Sequence, residues 1–305
     1  MGDPFDDRFE VDVAGGPLQV ARAGPPPAQA ECVALAIHGV TASMMTWRTL
    51  ARKLSAYPHV TLLAPDLRGR GRSAALPGPY GIEAHVRDLI RVLDHVGVQR
   101  AVVVGHSIGA YVAARLAADH PERATGLVLL DAGLPVDAPA DPDAMVECAV
   151  QNVIIRLTIR FPNAESYVAG WRSHPAFSTA WNEDVDAYAH YDLIEDGNGV
   201  RCIAAPKAVR TDSEEMVRNQ VSRTALDRVQ MQDRIHVLRA ERGLLDDEER
   251  PLIPHAQLEA FVATHPRVHV EEVPGVNHYT LVMGDSPGPD RVAAAIAAAC
   301  YAPGD

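Results

Sequence analysis

An apolar run, Ala101 to Val104, passes directly into Gly105-His106-Ser107-Ile108-Gly109, and an alanine-rich helical pattern follows to Ala117 without a spacer. This junction constrains the fold more than any other part of the chain. A hydroxyl set where a buried strand turns abruptly into a helix is pushed out at the edge of a sheet. The chain can turn that tightly only if the residues two before and two after the serine are small, because they nearly collide. Gly105 and Gly109 meet that need. The helix then aims its first N–H groups at the hydroxyl, which favours negative charge there. G-x-S-x-G can also be a glycine-rich turn with a capping serine. A strand before it and a helix after it are what distinguish a nucleophile, and both patterns are present.

The surrounding chain repeats the same alternation. Continuous apolar runs at Cys32–Gly39, Val60–Asp66, Ala101–Ser107 and Gly126–Gly133 read as strands buried on both faces, as in a parallel sheet. Helical patterns separate them, which implies right-handed crossovers. Ahead of them, RFEVDV and LQVARA alternate and read as an antiparallel hairpin. The alternation breaks after Gly133, and the next strand pattern is Arg234–Ala240. A gap of about 100 residues is far too long for a bare loop. It is expected to be a mainly helical insertion over one sheet edge, residues 135–231, with 1–134 and 232–305 forming the core. The insertion carries Tyr167, Trp171, Phe177, Trp181, Tyr188 and Tyr191. Of these, Trp171, Trp181, Tyr188 and Tyr191 are candidates for substrate contact, though such aromatics can equally pack the insertion onto the sheet.

Composition narrows the function. A length of 305 residues suits one large α/β domain, and a formal net charge of -12 disfavours a general nucleic-acid or anionic-membrane binder. The N-terminal residues lack a basic leader and an apolar core, so no signal peptide is expected. Gly2 is followed by Asp6 where a myristoylation signal needs Ser or Thr. No apolar run reaches the ~18 residues of a membrane span. Cys32, Cys148, Cys202 and Cys300 make no metal spacing. They are expected to be buried or half-buried free thiols in a reducing cytoplasm. No dinucleotide fingerprint appears, and the Gly-rich Arg68–Ser73 lacks the G-K-[ST] ending of a P-loop. No cofactor or metal is therefore expected. The expected partner is a small-molecule substrate, with neither nucleic acid nor membrane.

Four motifs occur in order: IHGVTAS, DLRGRGRS, GHSIGA and PGVNHYT. Together they resemble the α/β-hydrolase family over nearly the whole chain. The resemblance implies an α/β fold with an eight-stranded, mostly parallel sheet, helices on both faces and a cap inserted after strand six. It also implies Ser107 as nucleophile, His278 as general base, and the backbone N–H groups of Val40 and Ile108 as an oxyanion hole. Among the thirteen histidines, His38 and His106 read as structural or pocket-lining, while His174 and His190 fall in the insertion. The DLRGRGRS loop, with Arg68, is expected to be structural.

The acid that orients His278 is open between two positions. Asp131 stands at the end of the sixth strand, and Asp246 lies in the loop after the seventh, with Glu241 a third choice. Asp131 is favoured because a strand end fixes a carboxylate better than a long loop. The chemistry expected is hydrolysis of an ester or lactone of a fairly hydrophobic small molecule through an acyl-enzyme on Ser107. Amide, thioester or carbon–carbon bond hydrolysis and perhydrolysis can use the same machinery. A receptor that binds a small molecule without turning it over is the alternative from another class.

Overall fold

Alternating side chains set the first pair of strands. In β1 (Asp7–Val13) and β2 (Gly16–Ala23), Val11, Leu18 and Val20 turn inward while Glu10 and Asp12 face water, and the two pair antiparallel. The structure, a computed structural model, describes residues 2–136 and 140–301, and the side chains of residues 145 and 148–153 are outside the described set. After the hairpin the strands become apolar throughout. β3 (Cys32–Ile37), α1 (Arg48–Leu54), β4 (Val60–Pro65), α2 (Ile82–His95), β5 (Ala101–His106), α3 (Ile108–Asp119) and β6 (Ala124–Leu130) follow in turn.

Between β6 and the next core strand lie α4 (Pro142–Thr158), α5 (Ala164–Arg172) and α6 (Glu183–Tyr191). A hairpin of β7 (Leu193–Asp196) and β8 (Gly199–Cys202) comes next, then α7 (Pro206–Arg218) and α8 (Gln220–Arg223). The sequence patterns point to the helices and miss the hairpin, whose strands have four residues each and are too short for alternation to register. The chain closes with β9 (Ile235–Arg242), α9 (His255–Thr264), β10 (His269–Asn277) and α10 (Gly288–Tyr301).

The eight core strands form one sheet in the order β1-β2-β4-β3-β5-β6-β9-β10. From β4 to β10 every neighbouring pair is parallel. Each parallel strand sends successive side chains to two cores. Val103 and Leu129 join Leu89, Leu116 and Phe261 beneath α2, α3 and α9. Val102, Val104 and Leu130 join Trp47, Leu50 and Ile296 beneath α1 and α10. That two-sided cover is why these strands carry no polar alternation.

The inserted helices are bound to the core by buried charge. Asp184 of α6 accepts from Arg48 Nε at 2.9 Å and Arg52 Nε at 2.8 Å. In α7, Asp212 Oδ1 and Glu215 Oε2 accept from the N–H groups of Gly81 and Ile82 at 2.7 and 2.8 Å. The open N-terminus of α2 is thus capped by another helix rather than by its own sequence.

The cysteine expectation is corrected here. Cys32, at the start of β3, and Cys300, near the end of α10, form a disulfide with a Cα–Cα distance of 5.7 Å. A separation of 268 residues hid the pairing from any reading of local spacing. Cys202 is free and buried, and Cys148 is among the side chains outside the described set. The bond removes the support that four free thiols lent to a reducing cytoplasm. No helix of the described residues is long and apolar enough to cross a membrane.

Candidate active site

Ser107 sits at the turn from β5 to α3 with φ 58°, a left-handed value that an ordinary side chain adopts only when its surroundings enforce it. The glycines make the turn possible. A Cβ on Gly105 would lie 2.2 Å from the Gly109 carbonyl oxygen, and one on Gly109 would lie 2.1 Å from that of Ile37. No side chain fits at either position. The Ser107 N–H donates to Leu130 O at 3.1 Å, which pins the bend against β6.

Asp131 lies at the carboxyl end of β6, fully buried and also at positive φ, 51°. Its N–H donates to Leu238 O at 2.8 Å, and its Oδ1 accepts from Ala240 N–H at 3.1 Å, so β9 holds the carboxylate in place. Its Oδ2 lies 2.8 Å from His278 Nδ1. The proton is therefore on Nδ1, which leaves Nε2 as a lone-pair acceptor. His278 follows β10, and its ring lies 4.4 Å from that of His106, the residue beside Ser107. His106 Nε2 also donates to the His278 carbonyl at 2.9 Å. Burial holds the His106 pKa well below its ordinary value, so that ring is neutral. The Ser107 hydroxyl forms no hydrogen bond to His278 in this structure, and such contacts are often open without substrate.

Asp246 is placed differently. Its Oδ1 accepts from Asn277 Nδ2 at 3.0 Å, one residue short of the histidine, and Arg242 Nη1 lies 3.3 Å from its Oδ2. Glu241 accepts from Gly275 N–H at 2.7 Å at the surface. Neither bonds His278.

The loop carrying Val40 is fixed by His38 and by Arg70 of the DLRGRGRS loop, with Asp212 and His85, which no motif points to, behind them. Leu67 N–H donates to His38 Nε2 at 3.0 Å, so Nδ1 carries the proton and donates to the Gly39 carbonyl at 2.8 Å. Burial pushes the His38 pKa down to about 3. Arg70, fully buried, donates from Nε to Val40 O at 2.8 Å and pairs through Nη1 with Asp212 at 2.5 Å. Asp212 also meets His85 Nε2 at 2.9 Å. Burial pushes the Asp212 pKa up, but His85 and Arg70 outweigh it and hold the carboxyl at about 2. Ile108 is the first residue of α3, so its N–H has no partner within the helix.

Arg68 grips Asp88 with two bonds of 2.6 and 2.7 Å. Asp66, at the head of the same loop, accepts from Met44 N–H, Arg72 N–H and Tyr191 Oη at 2.7, 2.8 and 2.6 Å. Burial raises its pKa to about 6.

Two cavities flank these loops. One of about 190 Å³ is lined by Ser107, Ile108, Tyr111, Asp131, Leu134 and Leu252, among others. The other, about 180 Å³, belongs to the insertion and is lined by Arg156, Leu157, Phe161, Tyr167, Trp171 and His174, with Asp192 and Cys202 on its wall. Of the four aromatic candidates, Trp171 lines a cavity. Trp181 packs edge-on against Phe177 with its ring 5.0 Å from the Arg172 guanidinium carbon. Tyr188 is buried beneath Trp171, and Tyr191 is tied to Asp66. Those three line neither of the two cavities. His190 is exposed and bonded within its own helix. The described residues contain no cluster of three or more side chains suited to a metal ion.

The sequence model of the alpha/beta hydrolase family matches residues 34–295, and the chain belongs to that family. A lipase of Mycobacterium tuberculosis, LipV, is 44% identical over 121 residues, which cover 39% of this chain and 43% of the lipase. Epoxide hydrolase B of the same organism is 37% identical over 110 residues, covering 35% of this chain and 31% of that enzyme. The matches thus span less than half the length of these relatives. A thioesterase domain from the curacin biosynthetic pathway superposes with a TM-score of 0.72 at 19% identity, covering 96% of this chain and 98% of the domain. A hypothetical protein of Pseudomonas aeruginosa gives 0.74 at 23% identity, with 96% and 98% covered. At such identities the likeness concerns the fold. The chain is an alpha/beta hydrolase with an eight-stranded, mostly parallel sheet.

Proposed function

We propose that this protein is a serine hydrolase that cleaves a carboxylic ester through an acyl-enzyme on Ser107. One observation carries the reading: the 2.8 Å bond from His278 Nδ1 to a buried carboxylate, on an imidazole whose ring lies 4.4 Å from that of His106 beside the strained serine turn. A histidine with Nδ1 committed to Asp131 presents Nε2 to accept the serine proton and return it to the leaving group. The N–H groups of Val40 and Ile108 are the donors for the oxyanion. Water then attacks the acyl-enzyme with His278 again as base, and the acid product leaves. The similarity to a lipase over part of the chain agrees with ester chemistry.

Incubation with a fluorophosphonate and with p-nitrophenyl butyrate tests the reading. The wild-type protein should be labelled at Ser107 and should turn the ester over. Ser107→Ala should lose the label and at least about 10³-fold in kcat. Turnover that survives the substitution would remove Ser107 from the chemistry. The receptor reading draws on the open contact between Ser107 and His278. It predicts ligand binding with neither label nor turnover in the wild type.

A further inference from the structure

The cavity in the insertion holds an arginine to which no acid of the described residues is bonded. Arg156, in the last turn of α4, lies with its guanidinium carbon 5.5 Å from the Trp171 ring centre, and its Nη2 donates to Thr41 Oγ1 at 2.9 Å. It forms no ion pair with a carboxylate among the described residues, and its Nε and Nη1 have no hydrogen-bond partner there. The deeply placed Arg48, Arg68, Arg70 and Arg239 each meet an acid: Asp184, Asp88, Asp212 and Glu272. Arg156 is half-buried, and a guanidinium partly withdrawn from water with no acid bonded to it carries a cost. Such a site is explained if the counter-charge arrives with a ligand.

The rest of the wall agrees. Leu157, Phe161, Tyr167 and Trp171 make it largely apolar. Asp192 shares it, but its carboxylate is occupied by Tyr167 Oη at 2.6 Å and by Cys202 Sγ at 3.5 and 3.6 Å. Burial also pushes its pKa up to about 7, so it opposes an anion only weakly. The volume is about 180 Å³. It suits a short arm rather than a fatty chain.

The cavity also adjoins both loops of the active site. Thr41, the partner of Arg156, is two residues beyond Gly39, whose Cβ position lies 3.4 Å from Ser107 Cβ. Trp171 and His174 pack against Tyr279 at 6.2 and 5.6 Å, and Tyr279 follows His278.

We propose that this cavity takes a short carboxylate-bearing arm of the substrate, whose carboxylate pairs with the free edge of the Arg156 guanidinium while the scissile carbonyl lies at Ser107. The substrate class is then a mono-ester of a small dicarboxylic acid, with planar two-point recognition of the carboxylate. The proposal rests on the ester-hydrolase reading, in that the bound anion is taken to be part of the substrate.

The test compares p-nitrophenyl hydrogen glutarate with p-nitrophenyl methyl glutarate, which share an acyl chain and differ by one charge. Wild-type kcat/KM should favour the acid by about tenfold or more, the scale of one charge-assisted contact. The ratio should fall to about one in Arg156→Met and recover in part in Arg156→Lys. Arg160→Met removes an exposed arginine of the same segment, paired with Asp196, and should keep the wild-type ratio. A second arm needs no turnover. Glutarate should change the tryptophan fluorescence of the Ser107→Ala protein at lower concentration than dimethyl glutarate does, and adding Arg156→Met should abolish the difference. Equal kcat/KM for the two esters without glutarate binding overturns the subsite and leaves the hydrolase reading standing. Arg156-dependent glutarate binding without turnover of either ester keeps the subsite and overturns the hydrolase reading. A preference for the acid that survives Arg156→Met overturns the assignment to Arg156.

Discussion

Asp131 and Asp246 both adopt positive φ, 51° and 63°, and both reach the histidine loop. They differ in what they grip. Asp131 holds the imidazole of His278, and Asp246 holds the amide of Asn277. The consequences of neutralising them should therefore separate. In Asp131→Asn the amide can donate to Nδ1 and stabilise the wrong tautomer, and the imidazolium formed during proton transfer loses its counter-charge. Turnover of p-nitrophenyl butyrate should fall by about 10³–10⁴-fold, with the protein still folded. Asp246→Asn still offers an oxygen to Asn277 and should lose less than about tenfold. The opposite ranking would move the acid to Asp246. Ser107 and His278 were legible in the sequence because each sits in a motif with its own steric signature. The partner of His278 was only favoured, Asp131 over Asp246, because one residue of reach, from 277 to 278, separates the two aspartates, and no spacing rule resolves that.

At the scale of elements, the strands and crossover helices could be read directly because their burial on both faces is written as uninterrupted apolar runs. What could not be read is how α7 serves α2 and the Val40 loop at once. Asp212 closes the N-terminus of α2 through Gly81 and holds Arg70, and Arg70 holds the carbonyl of Val40. Asp212 lies more than 100 residues from both Gly81 and Arg70, and DLRGRGRS shows that an arginine is present without showing whether it faces solvent. Asp212→Asn keeps an acceptor for Gly81 and leaves the buried Arg70 guanidinium short of its counter-charge. It should cost about 3 kcal/mol of stability, read as a lower urea midpoint. It should also lower kcat more than it raises KM, by roughly tenfold, because the Val40 N–H, proposed as an oxyanion donor, loses its rigid support. Unchanged kcat beside the lost stability would confine the network to holding the fold together.

Across the whole molecule, the first residue of β3 and the end of α10 are bonded, which places six of the eight strands of the sheet inside one covalent loop, closed across a sequence separation of 268. The fold class was legible because four motifs in order, separated by strand and helix patterns, leave few alternatives. This link was not, since thiol chemistry carries no local pattern. A crosslink over so long a stretch acts chiefly by restricting the unfolded chain. The Cys32→Ser, Cys300→Ser double variant should be less stable by about 2–4 kcal/mol. Reductant should lower the urea midpoint of the wild-type protein towards that of the variant and leave the variant itself unmoved. Thiol titration in denaturant without reductant gives an independent count. Of the four cysteines, two should react in the wild type, and the same two in the variant. Four reactive thiols in the wild type, or a midpoint indifferent to reductant, would mean that β3 and α10 are held by their shared apolar face alone.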